Sequence, residues 1–332
     1  MPIKPEDLTR AAELLNGLRT ELSKAVVGQR EAVDQTLVAL VASGHVLIEG
    51  VPGLGKTLLA RALAKAMTLK YARVQFTPDL MPSDITGHSV FDAAARGESA
   101  NGIGALRVHR GPVFTNLLLA DEINRAPAKT QSALLEVMQE YQVTLEGQTL
   151  KLPRPFMVLA TQNPIDTEGT YPLPEAQLDR FLFKIDIGYP THEEETAIIR
   201  RATERQIGDQ LSLDGIEPRL DERLMLALQE MASLVRTDER VADYAVRIMR
   251  ATRQWPGLSS GAGPRGAIAL VRAARASALL QARDFVTPDD IKGHVLPALR
   301  HRVMLAPDAQ LEGRHVDELL RDALDSVEAP RL

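Results

Sequence analysis

Apolar positions along this chain change their period twice. From Leu8 to Lys24 they recur every three to four residues, the spacing of one buried helix face. After a break at Val27-Gly28-Gln29 the same spacing resumes from Arg30 to Ala42. Short, nearly continuous apolar runs follow at Val46 to Ile48, Arg73 to Phe76, Leu117 to Ala120, Phe156 to Ala160 and Phe181 to Ile187, each bounded by turn residues or charge. Runs of this length, alternating with helical stretches, predict strands of a parallel sheet covered by helices on both faces. Beyond Tyr189-Pro190 the helical period returns alone. Thr191 and Glu194 form a capping box, Leu220 to Val235 and Gly266 to Arg283 are periodic, Thr287-Pro288-Asp289-Asp290 opens another helix, and Val316 to Leu324 is amphipathic. The expected organisation is an α/β domain over residues 1–189 and a helical domain with its tail over 190–332.

Two segments depart from simple alternation. Residues 143–152 alternate on either side of Glu146-Gly147, which predicts two strands and a tight turn. Residues 87–111, rich in Gly and Ala around Asn101-Gly102-Ile103-Gly104, are less periodic and predict a second hairpin-type insertion with a surface loop.

At 332 residues, two domains are the natural expectation, and 45% apolar with 25% charged residues is the balance of a globular protein. A formal net charge of -5 provides no general basic surface for nucleic acid or anionic lipid. The absence of cysteine excludes disulfides and thiolate catalysis. The start, Met1-Pro2-Ile3-Lys4-Pro5-Glu6, lacks the apolar core of a secretion signal, and no window has the apolar length of a membrane span, so a cytoplasmic location is expected. The seven histidines show no metal-ligand spacing.

The chemistry concentrates where the first strand ends. Val46 to Thr57 reads VLIEGVPGLGKT, an apolar strand running into Gly50-x-x-Gly53-x-Gly55-Lys56-Thr57, with a helix-forming stretch after it. Glycines in such a loop turn backbone N–H groups toward an oxyanion, Lys56 adds a mobile positive charge, Thr57 offers Mg²⁺ a hydroxyl, and the helix dipole favours the same anion. Leu117 to Ala120 ends in Asp121-Glu122, where Asp121 would hold Mg²⁺ and Glu122 would polarise an attacking water. Another run ends Gln162-Asn163-Pro164. If the strands are parallel, Asn163 emerges beside the terminal phosphate, although Asn-Pro also makes ordinary turns.

These segments, with Asp121-Glu122-Ile123-Asn124-Arg125-Ala126-Pro127 and the string from Glu168 to Phe181, resemble the MoxR family of AAA+ ATPases. The similarity is dense from Val26 to Tyr189 and continues through Gly261 to Gly266 and Leu299-Arg300-His301-Arg302. The resemblance implies a P-loop αβα core with strand order 5-1-4-3-2, an all-α lid, ATP with Mg²⁺, and a homo-oligomeric ring, usually of six. Position by position, Gly50, Gly53, Gly55, Lys56 and Thr57 correspond to Walker A, with Val51, Pro52, Leu54 and Leu58 as further nucleotide-binding positions of the same loop, and Asp121 with Glu122 to Walker B. Asn163 falls at sensor 1, and Arg265 at sensor 2, where it would reach the γ-phosphate. Arg180 matches the arginine finger of the neighbouring subunit's site, with Arg110 and Arg125 also in plausible range of an interface. Val27 and Gly28, in the Val-Gly-Gln turn, would contact adenine, and Gln75 is a candidate restraint on Glu122.

MoxR-type ATPases resemble chaperones that mature or activate protein complexes, often metalloenzymes, with a von Willebrand factor A domain protein as adaptor. A DNA-remodelling motor and a metal-chelatase subunit share the same core. Against DNA, residues 221–303 carry 13 basic and 9 acidic residues in interleaved order, and the predicted hairpin tip is Glu146-Gly147.

Overall fold

The computed structural model of the protein describes residues 3–92, 105–164, 169–203, 213 and 215–331. Two helices lead, α1 (Pro5–Ala25) and α2 (Arg30–Val41). Then come β1 (Val46–Glu49), α3 (Lys56–Ala66), β2 (Tyr71–Gln75), α4 (Pro82–Thr86), β3 (Gly87–Asp92), β4 (Ala105–Arg110), β5 (Leu117–Asp121), α5 (Ala128–Glu140), β6 (Gln142–Leu145), β7 (Gln148–Lys151), β8 (Met157–Gln162), α6 (Glu175–Leu178) and β9 (Phe183–Asp186). Five of these strands make one parallel sheet in the order β2-β5-β8-β1-β9. Counting only these strands along the chain, and from the other edge, this is the expected 5-1-4-3-2.

The continuous apolar runs follow from burial on both sheet faces. Successive residues in a strand point to opposite sides. Val46, Ile48, Leu117, Leu119, Met157 and Leu159 join the layer made by α1, α2 and α3, whereas Leu47, Leu118, Ala120, Val158 and Ala160 join α5, Phe76 and Phe181. The strands therefore run with their carboxyl ends together, and the chemistry-bearing segments after β1, β5 and β8 meet along one edge of the sheet.

Strands β6 and β7 are antiparallel, joined by Glu146 and Gly147 at φ +47° and +77°. Two successive left-handed residues are what a tight hairpin turn matching the sheet twist requires. Strands β3 and β4 are likewise antiparallel, from Gly87 opposite Arg110 to Asp92 opposite Ala105. A Cβ at Gly87 would lie 2.2 Å from the His109 carbonyl oxygen, so the strand crossing there admits only glycine. The expected loop at Asn101 to Gly104, and Glu168 of the family-like string, lie outside the described residues.

The remainder is α7 (His192–Thr203), α8 (Glu222–Leu234), α9 (Glu239–Thr252), β10 (Leu258–Ser260), α10 (Pro264–Leu280), α11 (Pro288–Lys292), α12 (Val295–Leu299), β11 (Met304–Leu305), α13 (Pro307–Leu311) and α14 (Val316–Asp325). Thr191 and Glu194 exchange capping hydrogen bonds, as do Thr287 and Asp290. The antiparallel pair β10–β11 was not foreseen, because strands of three and two residues carry no readable period.

Among the described residues this helical part shares its apolar core with the α/β part. One apolar cluster runs from Leu15 and Leu18 on α1 through α2 to Leu270 and Leu279 on α10. A buried carboxylate reinforces the junction. Glu21 on α1 accepts from Lys24 at 2.7 Å, from the Glu217 N–H at 3.1 Å and from Arg219 at 2.5 Å, and these bonds hold its pKa down at about 2.

Candidate nucleotide site

Strand β1 ends against β9 so closely that a Cβ at position 50 would meet the Ile187 carbonyl oxygen at 2.8 Å, which explains Gly50. Gly53 and Gly55 adopt φ +88° and +82°, and nothing lies within 4 Å of where their Cβ atoms would be. The loop is thus left-handed at two points around open space. It feeds directly into α3, whose first-turn N–H groups have no side-chain cap and whose dipole faces the opening. Lys56 Nζ donates to the Gly50 carbonyl at 2.5 Å, which folds the ammonium back over the loop. A cavity of about 380 Å³ opens here, lined by Pro52, Gly53, Gly55, Lys56, Thr57, Leu58 and Arg61 on one side and by Asp121, Glu122 and Asn163 on the other. The structure therefore brings together most of the expected site. Arg61 was not foreseen; it lies one helical turn beyond Thr57, and that i+4 spacing is the signal for it.

The acidic wall is held by a network along strand ends. Because β2, β5 and β8 run in parallel register, Gln75 pairs with Asp121, and Arg73, two residues earlier, shares its face. Asp121 is buried. Its Oδ1 accepts from the Thr161 hydroxyl at 2.6 Å, and its Oδ2 accepts from Arg73 Nε at 3.1 Å and Nη2 at 2.7 Å. The Thr161 hydroxyl in turn accepts from the Glu122 N–H at 2.9 Å. Glu122 sits at φ +56°, a conformation costly for a residue with a Cβ and one that clusters at working sites. Its Oε2 receives Gln75 Nε2 at 2.8 Å and pairs with Arg125 Nε at 2.9 Å. Arg125, considered for an interface, is here a partner of Glu122 in its own chain.

The available donor set for a cation, the Thr57 hydroxyl and the Asp121 carboxylate, is all oxygen and lines the phosphate-sized opening, which fits Mg²⁺ and not a softer metal. Gly28 and Gln29 meet the segment that leads into α7. Gln29 Nε2 donates to the Gly188 carbonyl at 2.9 Å, and a Cβ at Gly28 would meet the Glu194 carboxylate at 2.9 Å. Neither Val27 nor Gly28 lines the cavity, and neither Gly50, Val51 nor Leu54 does; Leu54 packs instead against the apolar core.

Arg265 does not line the phosphate-loop cavity. It does not approach the phosphate loop of its own chain, because α10 starts at the opposite end of the sheet. There, where β1 and β9 begin, Arg180, Arg265, Arg272 and Arg302 line a cavity of about 300 Å³ together with Ser43, Gly44 and His45. Strands β1 and β9 run parallel from this end to the other, so the two cavities are separated by a strand length, ~15 Å for five residues. Among the described residues the only carboxylate lining this second cavity is Asp179, and it is already engaged, at 2.7 Å by Arg302 Nε and at 3.8 Å by Arg265 Nε. Arg272 caps the end of α2 through the Ala42 and Ser43 carbonyls. The Arg180 side chain makes no ion pair among the described residues. Four guanidinium groups and one carboxylate thus line this cavity, an excess of positive charge. His45 beside it is buried and neutral, its pKa lowered to about 4 by burial, with Nδ1 accepting from the Val158 N–H at 3.0 Å.

Among the described residues no helix is long and apolar enough to cross a membrane, and no group of three or more metal-ligating side chains occurs. A family model described as "ATPase family associated with various cellular activities (AAA)" matches residues 45–183, and an AAA lid domain model matches residues 250–323. The chain is 44% identical over 317 residues to the protein YeaC of Bacillus subtilis, covering 96% of this chain and 95% of that one. It is 42% identical over 338 residues to Chaperone MoxR1 of Mycobacterium tuberculosis, covering 98% and 85% respectively. A crystal structure of a Cytophaga hutchinsonii protein, 38% identical, superposes with a TM-score of 0.86 over 98% of both chains.

Proposed function

The chain belongs to the MoxR family of AAA+ ATPases, and we propose that it hydrolyses ATP at a site completed by the neighbouring subunit of a ring, using the cycle to remodel another protein. One observation carries this reading: Arg180 and Arg265 lie a strand length from their own phosphate loop, in a cavity with an unmatched positive charge. Residues that serve a phosphate from there must serve one on another copy.

Within one chain, the N–H groups from Gly53 to Thr57 and the Lys56 ammonium bind the β- and γ-phosphates, and Thr57 with Asp121 would hold Mg²⁺. When bound, the metal supplies charge neutralisation at the phosphates. Glu122 accepts the proton of the attacking water, and Asn163, buried at the cavity wall, orients that water. ATP and water give ADP, phosphate and a proton. The arginines of the neighbour offset negative charge as the γ-phosphoryl leaves. Since Arg265 sits at the start of α10, ring contacts that place it would also orient the helical part, and this coupling is the mechanical output.

The client is a protein complex, such as a metalloenzyme, reached through a von Willebrand factor A domain adaptor in the cytoplasm. The exposed hairpins β3–β4 and β6–β7 are the segments suited to contact it, and the acidic tip Glu146 disfavours nucleic acid there. The test is Glu122→Gln, which should bind ATP with near wild-type affinity and lose hydrolysis by about a hundredfold or more. Wild-type turnover in this variant would remove Glu122 from its role. The same ATP-locked variant should retain adaptor and client in a pull-down.

A further inference from the structure

The proposed ATPase cycle leaves one strong interaction unused. Asp121, the carboxylate that would serve the metal, is already paired with a guanidinium, that of Arg73, through Nε at 3.1 Å and Nη2 at 2.7 Å on a single oxygen. The same Arg73 Nη2 donates to Gln75 Oε1 at 2.9 Å. This bond fixes the amide flip, since Gln75 must accept from Arg73 and is then obliged to present Nε2 to Glu122, which it does at 2.8 Å. Asp121, Arg73, Gln75 and Glu122 thus form one chain of hydrogen bonds joining the two acidic residues of the site. All four lie at the adjacent ends of β2 and β5, and β2 is the outer strand of the sheet, leading through α4 into the β3–β4 hairpin.

We propose that Arg73 is a built-in counter-ion that holds Asp121 when magnesium nucleotide is absent, and that its displacement by the metal loosens Gln75 and so frees Glu122 to work. This rests on the ATPase reading above and deepens it. A buried carboxylate facing an anion-binding loop needs a compensating charge, and a half-exposed arginine can supply one and still swing out to water when a divalent cation takes its place. Thr161 keeps Asp121 Oδ1 throughout, so only the Arg73 side of the carboxylate is exchanged. Arg73 is a positioning residue: its guanidinium acts on Asp121 and Gln75 and not on the reacting atoms.

The two halves separate in a binding experiment that needs no turnover. Full-length wild type, Arg73→Ala and Arg73→Lys are titrated with a fluorescent N-methylanthraniloyl ADP, once with Mg²⁺ and once with EDTA, and melting temperatures are recorded alongside. The ratio of the Kd in EDTA to the Kd in Mg²⁺ should widen about threefold or more in Arg73→Ala, because the metal no longer competes with an internal cation, a size suited to a half-exposed pair. Arg73→Lys, which keeps the charge without the fork, should widen it less. Gln75→Ala removes one acceptor that steadies the Arg73 guanidinium on Asp121, so it should widen the ratio in the same direction but less than Arg73→Ala. An unchanged or narrower ratio in Arg73→Ala, with nucleotide binding intact, overturns the counter-ion role alone. Absence of nucleotide binding in the wild type overturns the ATPase reading and this inference with it.

Discussion

The side-chain amide of Gln75 donates to Glu122 Oε2 at 2.8 Å, tying the base of the proposed site to the outer strand of the sheet. A carboxylate held by an amide and by Arg125 is a poorer base and points where its partners hold it. Gln75→Ala should therefore raise the basal ATPase rate, by about three- to tenfold for the loss of one charge-assisted hydrogen bond. A steady-state phosphate-release assay measures this; a fall in rate would mean that Gln75 supports Glu122 and does not restrain it.

Gly50→Ala should damage the site through its backbone. The added Cβ meets the Ile187 carbonyl at 2.8 Å, and relieving that contact must separate β1 from the end of β9 or tilt the phosphate loop. We expect a loss of about 1–3 kcal/mol in thermal or denaturant unfolding, and weaker nucleotide binding with it. Unchanged stability with unchanged binding would show that the loop relaxes freely.

How much of this was legible in the sequence depends on the range of the interaction. The five strands, the phosphate loop, Asp121-Glu122 and the Glu146-Gly147 turn are local patterns, readable because period and turn chemistry act over a few residues. Arg73 and Thr161 were not readable as site residues. Each looks like an ordinary strand position until the register β2-β5-β8 places it beside Asp121. Which cavity Arg265 would line was not readable for a related reason: sequence gives the start of α10 but not the end of the sheet on which it packs. The helix α9 (Glu239–Thr252) has a clear amphipathic face and could have been read from Asp238 as its cap.

Acid should destabilise the fold in a defined order. His45 is neutral when folded, with a pKa near 4 caused by burial, against about 6.5 when exposed. Its contribution is therefore complete above about pH 6.5 and is lost as pH falls toward 4, up to ~3 kcal/mol. His301, buried against the Phe181 carbonyl and beside Arg302, is lowered in the same direction. Glu21, held near pKa 2, adds stability that is complete above about pH 4.5 and lost only below it. Melting temperatures should fall between about pH 6.5 and 4.5, before carboxylates contribute; a flat profile there would contradict the buried neutral imidazoles.

Nucleic acid should leave ATP turnover unchanged. The turn of the β6–β7 hairpin presents Glu146, and the net charge of the chain is -5. Neither single-stranded nor duplex DNA should raise the ATPase rate; stimulation that falls steeply with salt would favour a DNA motor.

The central claim is that Lys56 and the pair Arg180 and Arg265 serve the same site from different chains. Lys56→Ala chains and Arg180→Ala chains, each inactive alone, should recover activity when mixed, since about a quarter of the interfaces in a random assembly carry both wild-type residues. Lys56→Ala mixed with Arg265→Ala should recover likewise, which a same-chain role for Arg265 forbids. Mixed rings that are demonstrably formed yet show no ATPase recovery in either combination would contradict the shared site.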